Sequence, residues 1–182
     1  MRVALFPPAD RLSRCEQAIL PHLDSAYDLA RWLTRSDQEA EEILQTACLR
    51  AVQFFDGFRG ANPRAWLLTI VRNTFYSHLQ QQGRWRELAT PYDEEVHTEA
   101  GGGPDPEASL LRQADAQVLR AAFEALPPPF REVMVLRELE GLSYKEIAEI
   151  VCIPIGTVMS RLARARRQLQ EFLISHGIKG AS

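Results

Sequence analysis

Arginine and hydroxyl side chains are concentrated in one C-terminal stretch of the sequence. No acidic residue occurs between Glu149 and Glu171, whereas four arginines do: Arg161, Arg164, Arg166 and Arg167. A guanidinium group can donate two hydrogen bonds to a phosphate or to the O6 and N7 acceptors of guanine. The hydroxyls of Thr157 and Ser160 can bond to the same backbone and base edges. This chemistry favours nucleic-acid recognition, although most arginine-rich helix faces are only solvated.

The element that must present these side chains is a helix that follows a second, shorter helix. Ser143 and Glu146 form an S-x-x-E capping box, which predicts that a short helix runs from Tyr144 to about Val151. Pro154 stops it, and a longer helix is predicted over 155–173. The apolar residues of the longer helix recur at spacings of four and three, which predicts this inward stripe: Val158, Leu162, Ala165, Leu169 and Phe172. Two helices joined by a tight turn indicate a helix-turn-helix.

A second acid-free stretch, residues 57–86, mixes arginines with aromatic residues. Seven of the 15 aromatic residues of the chain lie between positions 54 and 85. Exposed rings stack on unpaired bases, at about 1–3 kcal/mol each, while arginines follow the backbone. The pattern therefore fits single-stranded nucleic acid. We expect three of the rings to belong to the core instead: Phe55, Trp66 and Phe75. Phe58 is the better functional candidate, because it lies in a predicted loop with no helical face to fill.

Helical spacing recurs throughout both ends of the chain, which predicts an all-α protein. Apolar residues follow it over 39–55, 64–79 and 110–126, and no strand-like alternation occurs. Between these segments lies an acidic stretch in which three consecutive glycines are followed by Pro104 and Pro106, which predicts a flexible linker. We expect two small helical domains, at 10–86 and 109–175, joined by a linker at 87–108.

A cluster of acids precedes the first of these segments. The sequence SDQEAEE spans 36–42, so Ser36 or Asp37 can cap a helix whose first turns carry Glu39, Glu41 and Glu42. Acidic residues at a helix N-terminus interact favourably with the positive end of the helix dipole. The cluster is therefore either structural or a docking face for a basic partner, and the sequence leaves both interpretations open.

Composition excludes several functional classes. The 182 residues carry a net charge of −3, and 19 of the 21 basic residues are arginine, a bias that genomic base composition also explains. Three cysteines without a C-x-x-C pair argue against a disulfide framework and for reduced thiols. No histidine spacing suits a metal, no apolar run suits a membrane span, and no residue set suits catalysis. We expect a cytoplasmic protein without cofactor, metal or small-molecule substrate, and not an enzyme.

These motifs together resemble bacterial sigma-70 factors of the extracytoplasmic-function (ECF) group. The resemblance covers about residues 12–84 and 109–174. The C-terminal GLSYKEIAEI and IPIGTVMSRLARARRQL resemble sigma region 4 closely, and DQEAEEILQTACLRAVQFFDGFRG with RAWLLTIVRNTFYSHLQQQGR resembles region 2 more loosely. The resemblance implies a protein that binds core RNA polymerase, recognises the −10 and −35 promoter elements and helps to open the duplex.

The resemblance also implies roles for individual residues. Ser160 and Arg164 match recognition-helix residues that read the −35 element. The −35 set is Thr157, Ser160, Arg161, Arg164 and Arg166. Phe58 and Asn73 match residues that capture an extruded base of the −10 element. The −10 and strand-opening set is Phe58, Arg59, Asn62, Arg72 and Asn73. The positions that match the helix gripping the polymerase clamp are Glu39, Glu42 and Gln45.

Two residues depart from the family pattern. Met159 stands where a basic residue is common, which removes one DNA contact and alters the expected −35 preference. Cys152 stands in the turn where glycine is frequent, so this position either needs no positive φ or is strained. The resemblance further implies an anti-sigma partner, often tethered to a membrane. The strongest alternative is a two-domain helix-turn-helix regulator that acts as a dimer without being a polymerase subunit.

Overall fold

A computed structural model describes residues 9–60, 62–84 and 116–177. Every regular element in these residues is helical, in agreement with the all-α prediction. The chain divides into two compact units. The predicted linker, 87–108, lies outside the described residues. No helix among the described residues is long and apolar enough to cross a bilayer.

The first unit contains four helices. They are α1 (Ala9–Ile19), α2 (Leu23–Thr34), α3 (Asp37–Phe54) and α4 (Pro63–Gln81), with single 3-10 turns at Leu20–His22 and Phe55–Gly57. Helices α2, α3 and α4 pack against one another, and α1 contacts α3 and α4. The most deeply buried large side chains come from α2 and α4: Leu29, Leu67, Leu68 and Leu79. Small residues of α3, Ala40, Ala47 and Ala51, are fully buried beside them and allow close approach.

Local side chains define the ends of these helices. Ser36 caps α3 by accepting a 3.3 Å hydrogen bond from the amide of Glu39. Asn62 caps α4 in the same way, with 3.0 Å from its side-chain oxygen to the amide of Ala65, and Pro63 occupies the first turn as predicted. At the other end of α3, Arg11 donates to the carbonyls of Val52 and Gln53 at 2.9 and 2.6 Å. Contacts of α1 therefore fix the point where α3 ends.

Most residues of the other four helices belong to the second unit. They are α5 (Ala116–Ala125), α6 (Pro128–Met134), α7 (Tyr144–Val151) and α8 (Ile155–Ser175), and α6 continues as a π-helical segment over Val135–Leu139. Helices α5 and α6 both pack against α8. The predicted stripe of α8 is buried at Val158, Leu162, Ala165 and Leu169.

The prediction that Phe172 belongs to that buried stripe is wrong. Leu173 is fully buried, whereas Phe172 is only half-buried and its ring stacks on His176 at a centroid distance of 4.1 Å. On a helix with 3.6 residues per turn, positions 172 and 173 lie about equally far from the centre of the stripe, on its two sides, so spacing alone does not decide which of them is buried. The helix also continues two residues beyond the predicted end, to Ser175.

A buried arginine joins α5 to α6. Arg131 is 2% exposed. It donates to the carbonyls of Phe123, Glu124 and Leu126 at 3.1, 3.1 and 2.5 Å. Carbonyls at the end of a helix have no partner within it. The prolines at 127–129 cannot supply amide donors, so the guanidinium supplies them, although the carbonyl of Phe123 also accepts from the amide of Leu126 at 3.2 Å.

Candidate nucleic-acid interface

The turn between α7 and α8 is set by capping groups and by one left-handed residue. The reciprocal capping box is present: the amide of Ser143 donates to Glu146 at 2.9 Å, and the amide of Glu146 donates to the Ser143 hydroxyl at 3.3 Å. Cys152, just after α7, has φ of 57°. Of the two alternatives given for this position, no positive φ or backbone strain, the second is therefore correct, because a residue with a Cβ is strained in the left-handed region.

Helix α8 presents a polar face opposite its buried stripe. Thr157, Ser160 and Arg164 are half-buried, and Arg167 is exposed. The Ser160 hydroxyl donates to the carbonyl of Thr157 at 3.0 Å, which leaves its oxygen able to accept another bond. All of the predicted −35 residues therefore lie along one helix, but only Thr157, Ser160 and Arg164 are on the side away from the buried stripe, whereas Arg161 and Arg166 lie at its edges.

Two of the predicted DNA-contacting arginines have carboxylate partners on the preceding helical segment. Arg161 approaches the fully buried carboxylate of Glu132 at 3.4 Å, and Arg166 approaches Glu138 at 3.0 Å. Glu138 lies in the π-helical segment that follows α6. These pairs tie α8 to α6 and fix its rotation. Since a guanidinium carries five N–H groups, each arginine keeps donors beyond those that meet the carboxylate.

In the first unit, the rings of three aromatic residues meet beside the α3–α4 loop. Phe58 packs on Trp66 at 4.8 Å between ring centroids, and Phe55 lies 6.1 Å from each of them. Phe58 does lie outside the α-helices, but the prediction that it has no helical face to fill is wrong, because Trp66 of α4 supplies one. Phe55 and Trp66 are half-buried rather than core residues, and only Phe75 is buried as expected, at 3% exposure. The three rings form an aromatic cluster that is partly open to solvent.

The other predicted −10 residues surround that cluster and the exposed side of α4. Asn62 caps α4, so its side chain has a structural role, and Arg59 is exposed in the loop. Arg72 lies over the ring of Tyr76 at 4.5 Å and donates to the Asn73 side chain at 3.2 Å. The cation–π contact holds the guanidinium flat against α4 beside an exposed amide.

The predicted polymerase-binding residues lie at the start of α3. Glu42 and Gln45 are exposed, whereas Glu39 is half-buried and pairs with Arg84 at 3.5 Å. Thus Glu39 also ties the start of α3 to the segment after α4. The start of α3 therefore has a capping residue and also exposes Glu42 and Gln45 to solvent. This geometry is compatible with both a structural role and a docking role.

Family models match both units. The model described as "Sigma-70 region 2" matches residues 18–85, and the model described as "Sigma-70, region 4" matches residues 116–169. The second match contains α7, the turn and α8, and the first contains the aromatic cluster. The chain belongs to the sigma-70 family.

Relatives place this sigma-70 protein in the ECF group. It is 37% identical over 138 residues to the ECF RNA polymerase sigma-E factor of Escherichia coli, with 72% of each chain covered. It is 33% identical over 167 residues to the ECF RNA polymerase sigma factor SigE of Mycolicibacterium smegmatis. That match covers 91% of this chain and 64% of the relative, so the chain spans just under two thirds of that protein.

Solved structures agree with the fold of this ECF protein. The sigma factor RpoE of Bartonella quintana, in a co-crystal structure with the anti-sigma factor NepR, matches with a TM-score of 0.65 and 34% identity. The match covers 87% of this chain and 96% of that one. CnrH, solved with the cytosolic domain of CnrY, matches with a TM-score of 0.54 at 21% identity, a likeness of fold alone.

Sequence reasoning missed the acidic partners of α8. Glu132 and Glu138 lie 29 and 28 residues before the arginines that they meet, and no periodic pattern links such distant positions. The nearest signal in the sequence is that Glu132 falls within the apolar run of α6, where a lone carboxylate requires a partner.

The cysteines show no sign of reactivity in the first unit. Burial raises the pKa of the Cys15 thiol, and interaction with Cys48 raises it further. Burial also raises the pKa of Cys48. A thiol that stays protonated is a poor nucleophile, so these surroundings do not favour reaction at Cys15 or Cys48. Among the described residues, no cluster of histidine, cysteine and carboxylate side chains could hold a metal ion.

Proposed function

We propose that this protein is a promoter-recognition subunit of RNA polymerase: it binds the core enzyme, recognises the −10 and −35 elements and promotes strand opening. The observation that carries the proposal is that one chain holds both a region 2 unit with an open aromatic cluster and a region 4 unit with an acid-free helix. Polymerase supplies the catalysis and this chain supplies the specificity. The chain itself is not an enzyme, and it acts in the cytoplasm.

The region 4 unit, at 109–175, reads the −35 element in duplex DNA. Helix α8 enters the major groove, where Ser160 and Arg164 meet base edges. A good bidentate contact from arginine to guanine discriminates by about 1–3 kcal/mol. Arg161 and Arg166 keep their carboxylate partners and donate their remaining N–H groups to phosphates, and Thr157 lies at the start of the same surface.

The region 2 unit, at 10–86, acts on the −10 element. The part of the aromatic cluster that is open to solvent offers Phe58 as a platform for an extruded base, next to Arg59 and Asn62. Arg72 and Asn73 hold the strand along α4. Stacking of about 1–3 kcal/mol per base offsets the few kcal/mol that unpairing costs. The connecting segment, 87–108, keeps both units on one promoter and raises the effective concentration for the second contact.

The start of α3 docks on polymerase through Glu39, Glu42 and Gln45. Its acidic character suits a basic surface on the core enzyme. The RpoE and CnrH structures contain an anti-sigma protein, NepR, and the cytosolic domain of CnrY, respectively. By analogy we propose an anti-sigma partner for this chain as well, which covers the polymerase-binding surfaces until it is released.

A reconstituted assay decides between this function and a free helix-turn-helix regulator. The purified chain is mixed with promoter DNA in the presence and absence of bacterial core polymerase, and RNA products are measured on genomic fragments. The proposal requires RNA chains that start at defined sites only when both proteins are present. Sequence-specific binding of a dimer to palindromic DNA without polymerase would favour the regulator instead.

The variant Glu42→Arg tests the docking surface in the same assay. It reverses the charge of an exposed side chain on α3, so affinity for core polymerase is expected to fall at least tenfold. The matched control is Glu41→Arg, which makes the same charge change on the same helix one residue away. Equal affinities for the two variants would remove Glu42 from the docking surface.

A further inference from the structure

The surface of α8 carries an apolar strip that the arginine contacts do not use. Ile155 and Met159 are 45% and 37% exposed, and Ala163, four residues further, is also exposed. Residues four apart lie one above the other on a helix. These three side chains therefore form a continuous line along the first turns of the helix, beside Ser160. We call this line the apolar strip.

Exposed apolar side chains in this position have a cost unless something covers them. Both large residues of the strip lie in the first two turns of α8, directly after the turn that follows α7. In a helix-turn-helix, the N-terminal residues of the second helix are those that face base edges. Ile174, in contrast, is exposed in the last turn of the same helix, far from that end.

The charges around the strip indicate what covers it. From residue 150 to 170 the sequence contains no acid, and the exposed Arg167 lies next to the strip, with the half-buried Arg164 further round the same side of the helix. Guanidinium groups beside an apolar line suit a surface that is bordered by phosphates. The apolar group that the major groove displays is the C5-methyl of thymine, which apolar side chains contact.

We propose that the apolar strip, led by Met159 with Ile155 beside it, reads thymine methyl groups in the −35 element. The proposal rests on the proposed function of α8. It gives a function to Met159, which stands where a basic residue is common in the family. A cationic side chain there would suit guanine or phosphate, whereas the apolar side chain of Met159 suits thymine. Met159 and Ile155 are thus specificity-determining residues of this chain.

The test removes only the methyl group. Holoenzyme is formed from core polymerase and the full chain, and one of its promoters is identified by run-off transcription. Each thymine of the −35 element is then replaced singly by deoxyuridine, which keeps every hydrogen-bonding group, and equilibrium binding is measured. At one or more positions we expect affinity to fall about fourfold, the change that follows when one methyl group stays in water.

The variant Met159→Ala links that effect to the strip. Its holoenzyme should bind the thymine and uracil promoters equally, whereas Met159→Leu should keep the preference because it keeps an apolar contact. The matched control is Ile174→Ala, an exposed apolar truncation in the same helix, which should leave the fourfold difference intact. Met159→Arg should move the preference at that position from thymine towards guanine.

Three results would overturn the proposal. A holoenzyme that starts RNA normally but shows no methyl effect dependent on Met159 contradicts the strip and leaves the proposed function standing. A loss of core-polymerase affinity in Met159→Ala, without any methyl dependence, identifies the strip as a protein-binding surface. Failure of the full chain to form an active holoenzyme removes the proposed function and, with it, this inference.

Discussion

Cys152 shows how one residue can be strained at the centre of a DNA-reading motif. Its φ of 57° lies in the left-handed region, where a residue with a Cβ pays about 1–2 kcal/mol relative to the right-handed region. Its side chain gains little in exchange, because it is exposed and its Sγ makes only a 3.5 Å contact with the carbonyl of Glu149. The turn geometry between α7 and α8 therefore decides the conformation, and the residue type tolerates it.

Replacing this residue with glycine should stabilise the protein. Cys152→Gly removes the Cβ strain but increases the entropy of the unfolded chain, so we expect a net gain of about 0.5–1 kcal/mol in the free energy of unfolding. Urea denaturation measures it. Cys152→Ala, which removes the thiol and keeps the Cβ, serves as the control and should change little. If both variants gain equally, the thiol rather than the backbone is responsible.

Asn62 combines two assignments that substitution can separate. Its side chain caps α4, and it is also a proposed −10 contact. Asn62→Ser keeps a capping oxygen, so its stability should match the original, whereas Asn62→Ala should lose about 1 kcal/mol. If the amide touches DNA, both variants should open the −10 element more slowly in a permanganate assay. Normal opening by Asn62→Ser would leave capping as the sole role of this residue.

At the scale of elements, sequence and structure agree wherever the interaction is local. The capping box at Ser143, the cap at Ser36, the proline at the start of α4 and most of the buried stripe of α8 each depend on residues a few positions apart, so they could be predicted. The ion pair between Glu132 and Arg161, the packing of Phe58 on Trp66 and the π-helical segment depend on tertiary contacts. Sequence patterns do not reveal such contacts, so the loop of Phe58 was predicted without the helical face that Trp66 offers to it.

We predict that the ion pair between Glu132 and Arg161 stabilises the packing of α6 against α8. Glu132 is fully buried while Arg161 keeps 21% side-chain exposure, so Glu132→Ala should cost about 3 kcal/mol, near the lower end for breaking a buried pair. Replacing both partners, with Glu132→Leu and Arg161→Met, should recover most of that loss because neither charge remains buried. Chemical denaturation of the original chain, Glu132→Leu, Arg161→Met and the double variant completes a double-mutant cycle, with Glu132→Ala measured beside it. A double variant as unstable as Glu132→Ala would show that shape, not charge, limits the site.

For the whole molecule, the proposed function raises the question of how a protein of net charge −3 would bind a polyanion. Residues 1–83 are neutral, 84–126 carry −5 and 127–182 carry +2. The long-range field of the chain therefore does not favour DNA, and affinity must come from individual contacts and from polymerase. Each such contact with a phosphate releases counterions. The salt dependence of binding therefore reports how many phosphates the protein contacts.

Two arginine variants that change the net charge equally can distinguish a direct phosphate contact from a long-range electrostatic effect. Arg166→Gln should lower the slope of log affinity against log salt for the holoenzyme by about 0.9, the value for one phosphate contact, if the guanidinium meets DNA while it is paired with Glu138. Arg14→Gln removes one positive charge from α1, where 62% of the side chain is exposed, and should leave the slope unchanged. Equal slopes for both variants would mean that Arg166 serves only the ion pair with Glu138, and that fewer residues of α8 hold the promoter than the resemblance implies.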